Sequence, residues 1–350
     1  MIQPLSGENL SEELRTAVRR FESGLCEQAG QLCLSILDHN PHDAWALYLL
    51  RLVERRLARP KPSTKPALIW QFDPARAWES DWLQTLLGDV VEKSIVDNSW
   101  SQIAETMIVV DNRLVPEKVS YYRRAFEMGC RVILVHLSDE AFKDDLGAYQ
   151  YCDGVIRNYR SDLLAGYSKI RFIPLGYKAG FTADAGAAKP AAARKYLWSF
   201  AGDAKKLTRG PMLQSMARAG DGFQHLSEGF GSRDALPTDA YRRLMDDSIV
   251  VPCPSGWSNL ETFRVYEALE AGCIPIVEKR PGFDYFTQLL GPHPMPTVTH
   301  WEDAATLVMR LKAEDGLEPL RQACAAWWAT YKPALTAEVG AFITDRLKAN

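Results

Sequence analysis

Two series of short apolar runs, separated by stretches of helical periodicity, constrain the fold of this chain most. The first series is ALIWQF (67–72), TMIVV (106–110), RVILVH (131–136), GVIRNY (154–159) and RFIPLGY (171–177). The second is YLWSFAG (196–202), FQHLSEG (223–229), SIVVPCP (248–254), CIPIVE (273–278) and PTVTHW (296–301). Helical stretches at 210–219, 238–247, 261–271 and 302–312 lie between the runs of the second series. Strands alternating with helices predict βαβ units and a parallel sheet. Two series predict an α/β chain with two doubly wound, Rossmann-like domains, at 67–182 and 196–315. ADAGAAKPAAARK (183–195) lacks large apolar residues and reads as the linker between them. Ligands of such sheets bind beyond the carboxyl ends of the strands, so two such domains facing each other predict a cleft.

The flanking segments have a different pattern. Residues 1–58 read as a helical cap. Leu14, Val18, Phe21 and Leu25, then Leu32, Ile36 and Leu37, then Ala44, Leu47, Leu50 and Val53 recur at helical spacing. The run GLCEQAGQLCLSILDHNP (24–41) resembles part of a tetratricopeptide repeat, with Ala29 and Pro41 as its small residue and terminal proline. About one and a half units are visible, fewer than the roughly three a free-standing array needs. Residues 59–66, RPKPSTKP, read as a linker. Residues 316–350 read as a long terminal helical region.

Composition excludes several classes. A net charge of −3 provides no basic field for nucleic acid. The seven cysteines, at 26, 33, 130, 152, 253, 273 and 324, form no C-x-x-C pair, which argues against a zinc knuckle or redox motif and for free thiols in a reducing compartment. No window reads as a signal peptide or a membrane span, so a cytoplasmic location is expected. No G-x-G-x-x-G follows a predicted strand, which argues against a classical dinucleotide-binding dehydrogenase.

Residues 262–277 read TFRVYEALEAGCIPIV. Thr262, Arg264, Glu267, Ala268, Leu269, Gly272, Cys273, Ile274 and Pro275 resemble the signature of the exostosin-type glycosyltransferases. Upstream, YLWSFAG with Arg209 and LMDDSIVVPCPSG (244–256) resemble that family's preceding segments. The resemblance covers about 196–280, is weak over 67–182 and does not reach the helical N-terminus. It implies the GT-B fold and transfer of a sugar from a nucleotide-sugar donor to a hydroxyl on a glycan, a lipid-linked glycan or a protein.

The residues support a donor site independently. A helix starting near Glu261 sets Arg264 and Glu267 as i,i+3 neighbours. The loop PSGWSN after the strand 248–254 offers backbone N–H groups to a phosphate, and the helix N-terminus adds partial positive charge. Arg264 suits a diphosphate bidentately, and Glu267 suits ribose hydroxyls. The GT-B resemblance implies the same ribose role. Gly202, Arg209, Ser255, Gly256, Thr262, Arg264 and Glu267 form the expected donor set. Lys205 and Lys206 read as a solvated turn. Without the resemblance, Arg264 and Glu267 fit equally well as a brace within the helix, with Gly272 as its C-cap.

An inverting transfer also needs a proton acceptor. Asp73, Asp111, His136 and Asp139 stand just past predicted strands of the first domain. The run VILVHLSDE makes Asp139 the first candidate and His136 the second. Ser138, Asp139 and Glu140 also fit as the cap of a following helix. Arg157, Asn158 and Tyr177 are expected on the acceptor side. No D-x-D occurs, so no metal and no further cofactor are expected. A retaining enzyme would carry a second glutamate at the position of Asn259, although a register shift to Glu261 keeps that alternative open. A non-catalytic scaffold with a degenerate transferase domain is the other. Residues 51–65 carry Arg51, Arg55, Arg56, Arg59, Lys61 and Lys65 against Glu54, a strip that suits peripheral contact with an anionic membrane face or a solvated linker.

Overall fold

The structure is a computed structural model, and it describes residues 10–59, 65–182, 188–206 and 208–348. Three helices come first: α1 (Glu12–Glu22), α2 (Cys26–His39) and α3 (Ala44–Leu57). Then follow β1 (Ala67–Trp70), α4 (Ser80–Leu87), β2 (Lys93–Val96), β3 (Thr106–Asp111), α5 (Pro116–Glu127) and β4 (Arg131–His136). Next are β5 (Gly154–Arg157), α6 (Asp162–Ala165) and β6 (Ile170–Phe172). The second series is β7 (Tyr196–Gly202), α7 (Arg209–Ala217), β8 (Gly222–Leu226), α8 (Thr238–Asp246), β9 (Ser248–Cys253), α9 (Phe263–Glu270) and β10 (Ile274–Glu278). α10 (Tyr285–Leu290), β11 (Thr297–Val298), α11 (Ala304–Ala313) and α12 (Leu317–Lys348) complete the chain.

The chain forms two compact units. Unit 1 is Met1–Arg76, Leu86–Ile173 and Ala337–Asn350; unit 2 is Ala77–Thr85 and Pro174–Thr336. The units depart from the boundaries expected from sequence. Residues 77–85 and 174–182 pack in unit 2, and α12 begins in unit 2 and ends in unit 1. Most of the linker 59–66 and residues 183–187 of the linker 183–195 lie outside the described residues.

Unit 1 holds a six-stranded parallel sheet in the order β2-β1-β3-β4-β5-β6. β3 and β4 are buried at every position, as strands covered on both faces require. That is why TMIVV and RVILVH read as unbroken apolar runs. β2 is an edge strand of sequence KSIV, mostly exposed, and too polar to stand out in the sequence. The N-terminal helices are capped from sequence: Ser11 accepts from the N–H of Leu14, and Asp43 from those of Trp45 and Ala46. Their buried faces (Phe21, Ala29, Cys33, Leu49 and Val53 among them) share one core with Val109, Tyr122, Phe126 and Leu134. The helical cap is therefore part of the unit 1 core.

That packing changes the reading of the basic strip. Arg56 and Arg59 are buried, with 3% and 5% of their surface exposed. Arg59 Nη1 donates to both oxygens of Asp153, at 2.8 and 2.9 Å, and Arg56 donates to the carbonyls of Gln150 and Cys152. Lys65 donates to the carbonyl of Asp89, and Lys61 lies outside the described residues. Two of the six cations thus serve the interior and cannot meet a bilayer, which removes the basis for a continuous membrane-binding strip. Among the described residues no helix is long and apolar enough to cross a membrane, and all seven cysteines are buried and free.

Unit 2 holds a five-stranded parallel sheet in the order β11-β10-β9-β7-β8. Trp198, Phe200, Met212, Val250, Ile274 and Trp301 fill its core. The chain runs from β7 outward to β8 and then returns to the other side of β7 as β9. The strand order therefore reverses between β7 and β9, the position at which such sheets open a crevice for a ligand.

Candidate functional site

The signature 262–277 divides into two parts. Its second half builds the turn from α9 into β10. Gly272 adopts φ +64°, Cys273 N–H donates to Ala268 O at 2.8 Å, and Gly272 N–H donates to Leu269 O at 3.0 Å. This is the left-handed helix ending that glycine favours. Cys273 is buried, with its sulfur 3.3 Å from Arg194 Nη1. Ala268 and Leu269 are core.

The first half lies at the strand-order reversal. Arg264, the second residue of α9, donates from Nη2 to the carbonyl of Ala201 at the end of β7, at 2.7 Å. Its guanidinium sits 4.4 Å from the centre of the Phe200 ring. Gly202 has φ +143°, and a Cβ there would stand 2.9 Å from Arg264 Nη2. Glycine is thus what lets this arginine reach the backbone. Arg264 Nε is buried with no partner among the described residues. Thr262 stands at the N-cap position of α9 without capping it, and its buried Oγ1 is also unmatched. Two unmet polar groups beside a helix N-terminus suit an anion.

The loops around these residues are tied together. Thr208 Oγ1 and Ser255 Oγ lie 2.9 Å apart, joining the loop after β7 to the loop after β9. Arg209, 5% exposed, opens α7; its Nη1 donates to Asp203 O at 2.6 Å and its guanidinium lies 5.8 Å from the Phe200 ring. Gly256 departs from expectation: its N–H already donates to Asn259 O at 2.8 Å, so it shapes the loop instead of offering a free donor. Lys206 stands over the exposed ring of Trp257, at 5.1 Å. Sequence reading missed Thr208, Phe200 and Trp257, because only the sheet order brings their loops together.

Glu267 also differs from expectation. Its carboxyl is buried inside unit 2 and accepts from the backbone N–H of Lys178 and the hydroxyl of Tyr241, next to Arg264. Burial pushes its pKa up to about 7, against the pull of Arg264. It lies within the electrostatic reach of Arg264 and is enclosed, 4% exposed, where the sequence suggested a carboxylate open to ribose hydroxyls. Glu261 is similarly enclosed: Oε1 takes the N–H of Leu175 and the hydroxyl of Tyr266, and Oε2 the hydroxyl of Tyr285.

The nominated acids and bases of unit 1 lie at the carboxyl ends of its strands, and the structure closes most of them. Asp111 is fully buried and binds Lys118, Tyr122 and the N–H of Arg113. Asp73 is exposed and accepts from the N–H of Ala75, capping a short turn. Asp139 pairs with Arg157 Nη2 at 3.2 Å through one oxygen and accepts from the N–H groups of Lys143 and Asp144 through the other. Its side chain is only 3% exposed. His136 is wholly buried, with Nδ1 2.7 Å from the Tyr149 hydroxyl and Nε2 3.0 Å from Asp144 Oδ2. A proton acceptor must come within roughly 2.6–3.2 Å of its substrate hydroxyl, and neither Asp139 nor His136 has an open edge to do so.

Of the three acceptor-side candidates, Arg157 belongs to that interior network. Its Nη1 donates to the Tyr149 hydroxyl at 3.1 Å. The Tyr149 proton is then free for His136 Nδ1, which in a neutral ring leaves Nε2–H to donate to Asp144. Asn158 is buried at 1% exposure with both side-chain polar atoms unmatched. Tyr177 lies in unit 2, not unit 1: its ring packs edge-on to Trp82 at 5.5 Å and its hydroxyl meets Thr85 Oγ1. It is a core residue, because the chain enters unit 2 at Pro174.

Residues 185–347 match the family described as the RXYLT1 C-terminal domain. The structure is similar to that of Anabaena HepE in complex with UDP, at TM-score 0.52 and 9% identity over 79% of this chain and 98% of that one. It is also similar to an α1,3-fucosyltransferase, at TM-score 0.50 and 10% identity over 84% of this chain and 94% of the other. The fold is that of the GT-B glycosyltransferases. No curated protein matches the chain in sequence.

Proposed function

We propose that this chain is a nucleotide-sugar-dependent glycosyltransferase that holds its donor diphosphate in unit 2, at the strand-order reversal. The observation that carries the reading is Arg264: a guanidinium fixed on Ala201 O and Phe200, with Nε unmet, beside the unmet Thr262 Oγ1 at the start of α9. Arg209, Gly202, Thr208 and Ser255 complete the donor-binding set. Glu267 lies near Arg264, close enough for their charges to interact. The GT-B fold and the similarity to a UDP-bound structure make UDP the first nucleotide to test.

We read the transfer as inverting and metal-independent. Asn259 stands where a retaining enzyme would carry its second glutamate, and Glu261 is committed to Tyr266, Tyr285 and Leu175. A fixed guanidinium and a helix N-terminus supply positive charge that a divalent cation supplies elsewhere.

Thermal-shift and calorimetric titration with UDP and GDP test the donor site. Arg264→Ala is expected to weaken nucleotide binding at least tenfold, since a charge-assisted hydrogen bond contributes roughly 1.5–3 kcal/mol. Arg264→Lys is expected to fail as well, because an ammonium cannot reproduce the fork. Wild-type affinity in both variants, or no nucleotide binding by the parent chain, refutes the reading. Turnover of the donor is expected to persist in excess chelator. Loss on chelation with recovery on adding manganese would overturn metal independence while leaving the donor site standing.

A further inference from the structure

Unit 1 contains a cavity of about 610 Å³ at the carboxyl ends of β3 and β4. Arg113, Leu114, Val115 and Pro116 form one wall, and residues 143–147 the other. The volume falls in the range of small-molecule sites, and its position is the ligand side of a parallel sheet. None of the residues proposed for the donor diphosphate lines it.

Asp144 is the one carboxylate of this cavity that the interior holds in place from behind. Its Oδ2 accepts the N–H of Leu114 at 2.6 Å and faces His136 Nε2 at 3.0 Å. Both of these bonds use Oδ2; among the described residues Oδ1 has no hydrogen-bond partner, and the side chain is 18% exposed. Burial opposes its charge, but the hydrogen bonds from His136 and Leu114, with the nearby charge of Lys118, hold the carboxyl below its usual range. The loop that carries it is fixed in turn. Asp139 ties down the N–H groups of Lys143 and Asp144, and Ser138 and Phe142 adopt φ of +64° and +52°, a left-handed backbone that non-glycine residues keep only where their surroundings enforce it. The result is one anchored carboxylate oxygen and one open oxygen on a cavity wall, the geometry of a preset hydrogen-bond acceptor.

The rest of the lining indicates the chemistry of the occupant. Arg113 and Lys143 balance Asp144 and Asp145, so the cavity has no excess charge to select an ion. Leu114, Val115, Pro116 and Leu146 supply apolar surface beside these polar groups. Apolar patches next to paired hydrogen-bonding groups match the alternating C–H and hydroxyl faces of a sugar or polyol. We propose that this cavity binds an uncharged polyhydroxyl compound, with Asp144 Oδ1 accepting a hydrogen bond from one of its hydroxyls. The assignment rests on the glycosyltransferase reading, for which this compound is the acceptor.

The test is saturation-transfer NMR on the full chain with methyl glycosides of glucose, galactose, mannose and xylose, alongside a UDP titration of the same sample. Transfer to at least one glycoside is expected in the parent chain. Asp144→Asn is expected to weaken glycoside binding at least roughly tenfold, the loss of one hydrogen bond to a charged group, and to leave UDP affinity unchanged. If Asp144→Asn does not fold, the exposed wall pair Arg113→Ala and Lys143→Ala is expected to weaken the same signal. No transfer to any glycoside, or equal transfer in every folded variant, overturns the proposal. Failure of UDP to bind while glycosides do would refute the donor reading alone.

Discussion

Replacing Asp153 by alanine is expected to destabilise unit 1 by roughly 3–5 kcal/mol, the usual consequence of removing one member of a buried ion pair. Asp153 is 7% exposed and is the anion for two buried cations, Arg59 at 2.8 Å and Arg56 at 3.9 Å. It also accepts the N–H of Val132 at 2.9 Å. Burial pushes the Arg59 guanidinium below its ordinary pKa despite the pull of Asp153. Without the carboxylate, two guanidiniums would share an interior that offers them carbonyls, the Cys26 thiol and the rings of Phe21 and Phe126. Hydrogen exchange of the β4 and β5 amides is the appropriate readout, because a chain of two units need not unfold in one step. Replacing Arg56, Arg59 and Asp153 together by apolar residues of similar size is expected to restore most of the loss. A deficit below about 1 kcal/mol in Asp153→Ala would show that the network matters little.

The second large effect depends on pH. Glu267 titrates at about 7 in the folded chain against 4.5 as an ordinary glutamate. A carboxyl raised on folding favours the folded state fully below its unfolded pKa, and that contribution is lost as pH rises through the folded one. The interval from 4.5 to about 7 corresponds to roughly 3 kcal/mol. Glu267→Gln keeps the shape and removes the titration. The variant is therefore expected to gain stability relative to the parent as pH rises from about 5 to about 8. Melting curves of both proteins across that range decide the matter. A difference in melting temperature that stays flat with pH would mean that Glu267 is comfortable as an anion.

The fold was legible where burial is uniform. Strands covered on both faces must be apolar throughout, so β3, β4, β9 and β10 announced themselves in TMIVV, RVILVH, SIVVPCP and CIPIVE. β2 did not, because an edge strand reading KSIV is exposed and polar, and α10 is only six residues long. The place of Arg264 at the start of a helix that ends at Gly272 was legible because that spacing is local. The burial of Glu267 was not, since it depends on Lys178 and Tyr241, distant in sequence. Asp139 and Asp144 show the same limit. Both follow β4, and only the closed loop reveals that the first holds the backbone while the second reaches the cavity.

The course of α12 bears on how such a chain can be inherited. Its first part, with Cys324 and Trp328, is buried in unit 2; its last turns, with Val339, Ile343 and Leu347, are buried in unit 1. Arg346 donates to the carbonyls of Ser23 and Ser168, and a Cβ on Gly154 would meet Phe342 and Arg346 at 3.2 Å. Residues 77–85 run the other way, with Trp82 of that segment stacked on Trp328. A single genetic crossover in the segment 183–195 would therefore not exchange one unit cleanly for a homologue's. The recombinant would join a foreign Trp82 to a resident Trp328, and a foreign β5 to a resident terminal helix. Shuffling of donor specificity between relatives is thereby restricted to crossovers at two or more points, or to point substitution within the loops themselves.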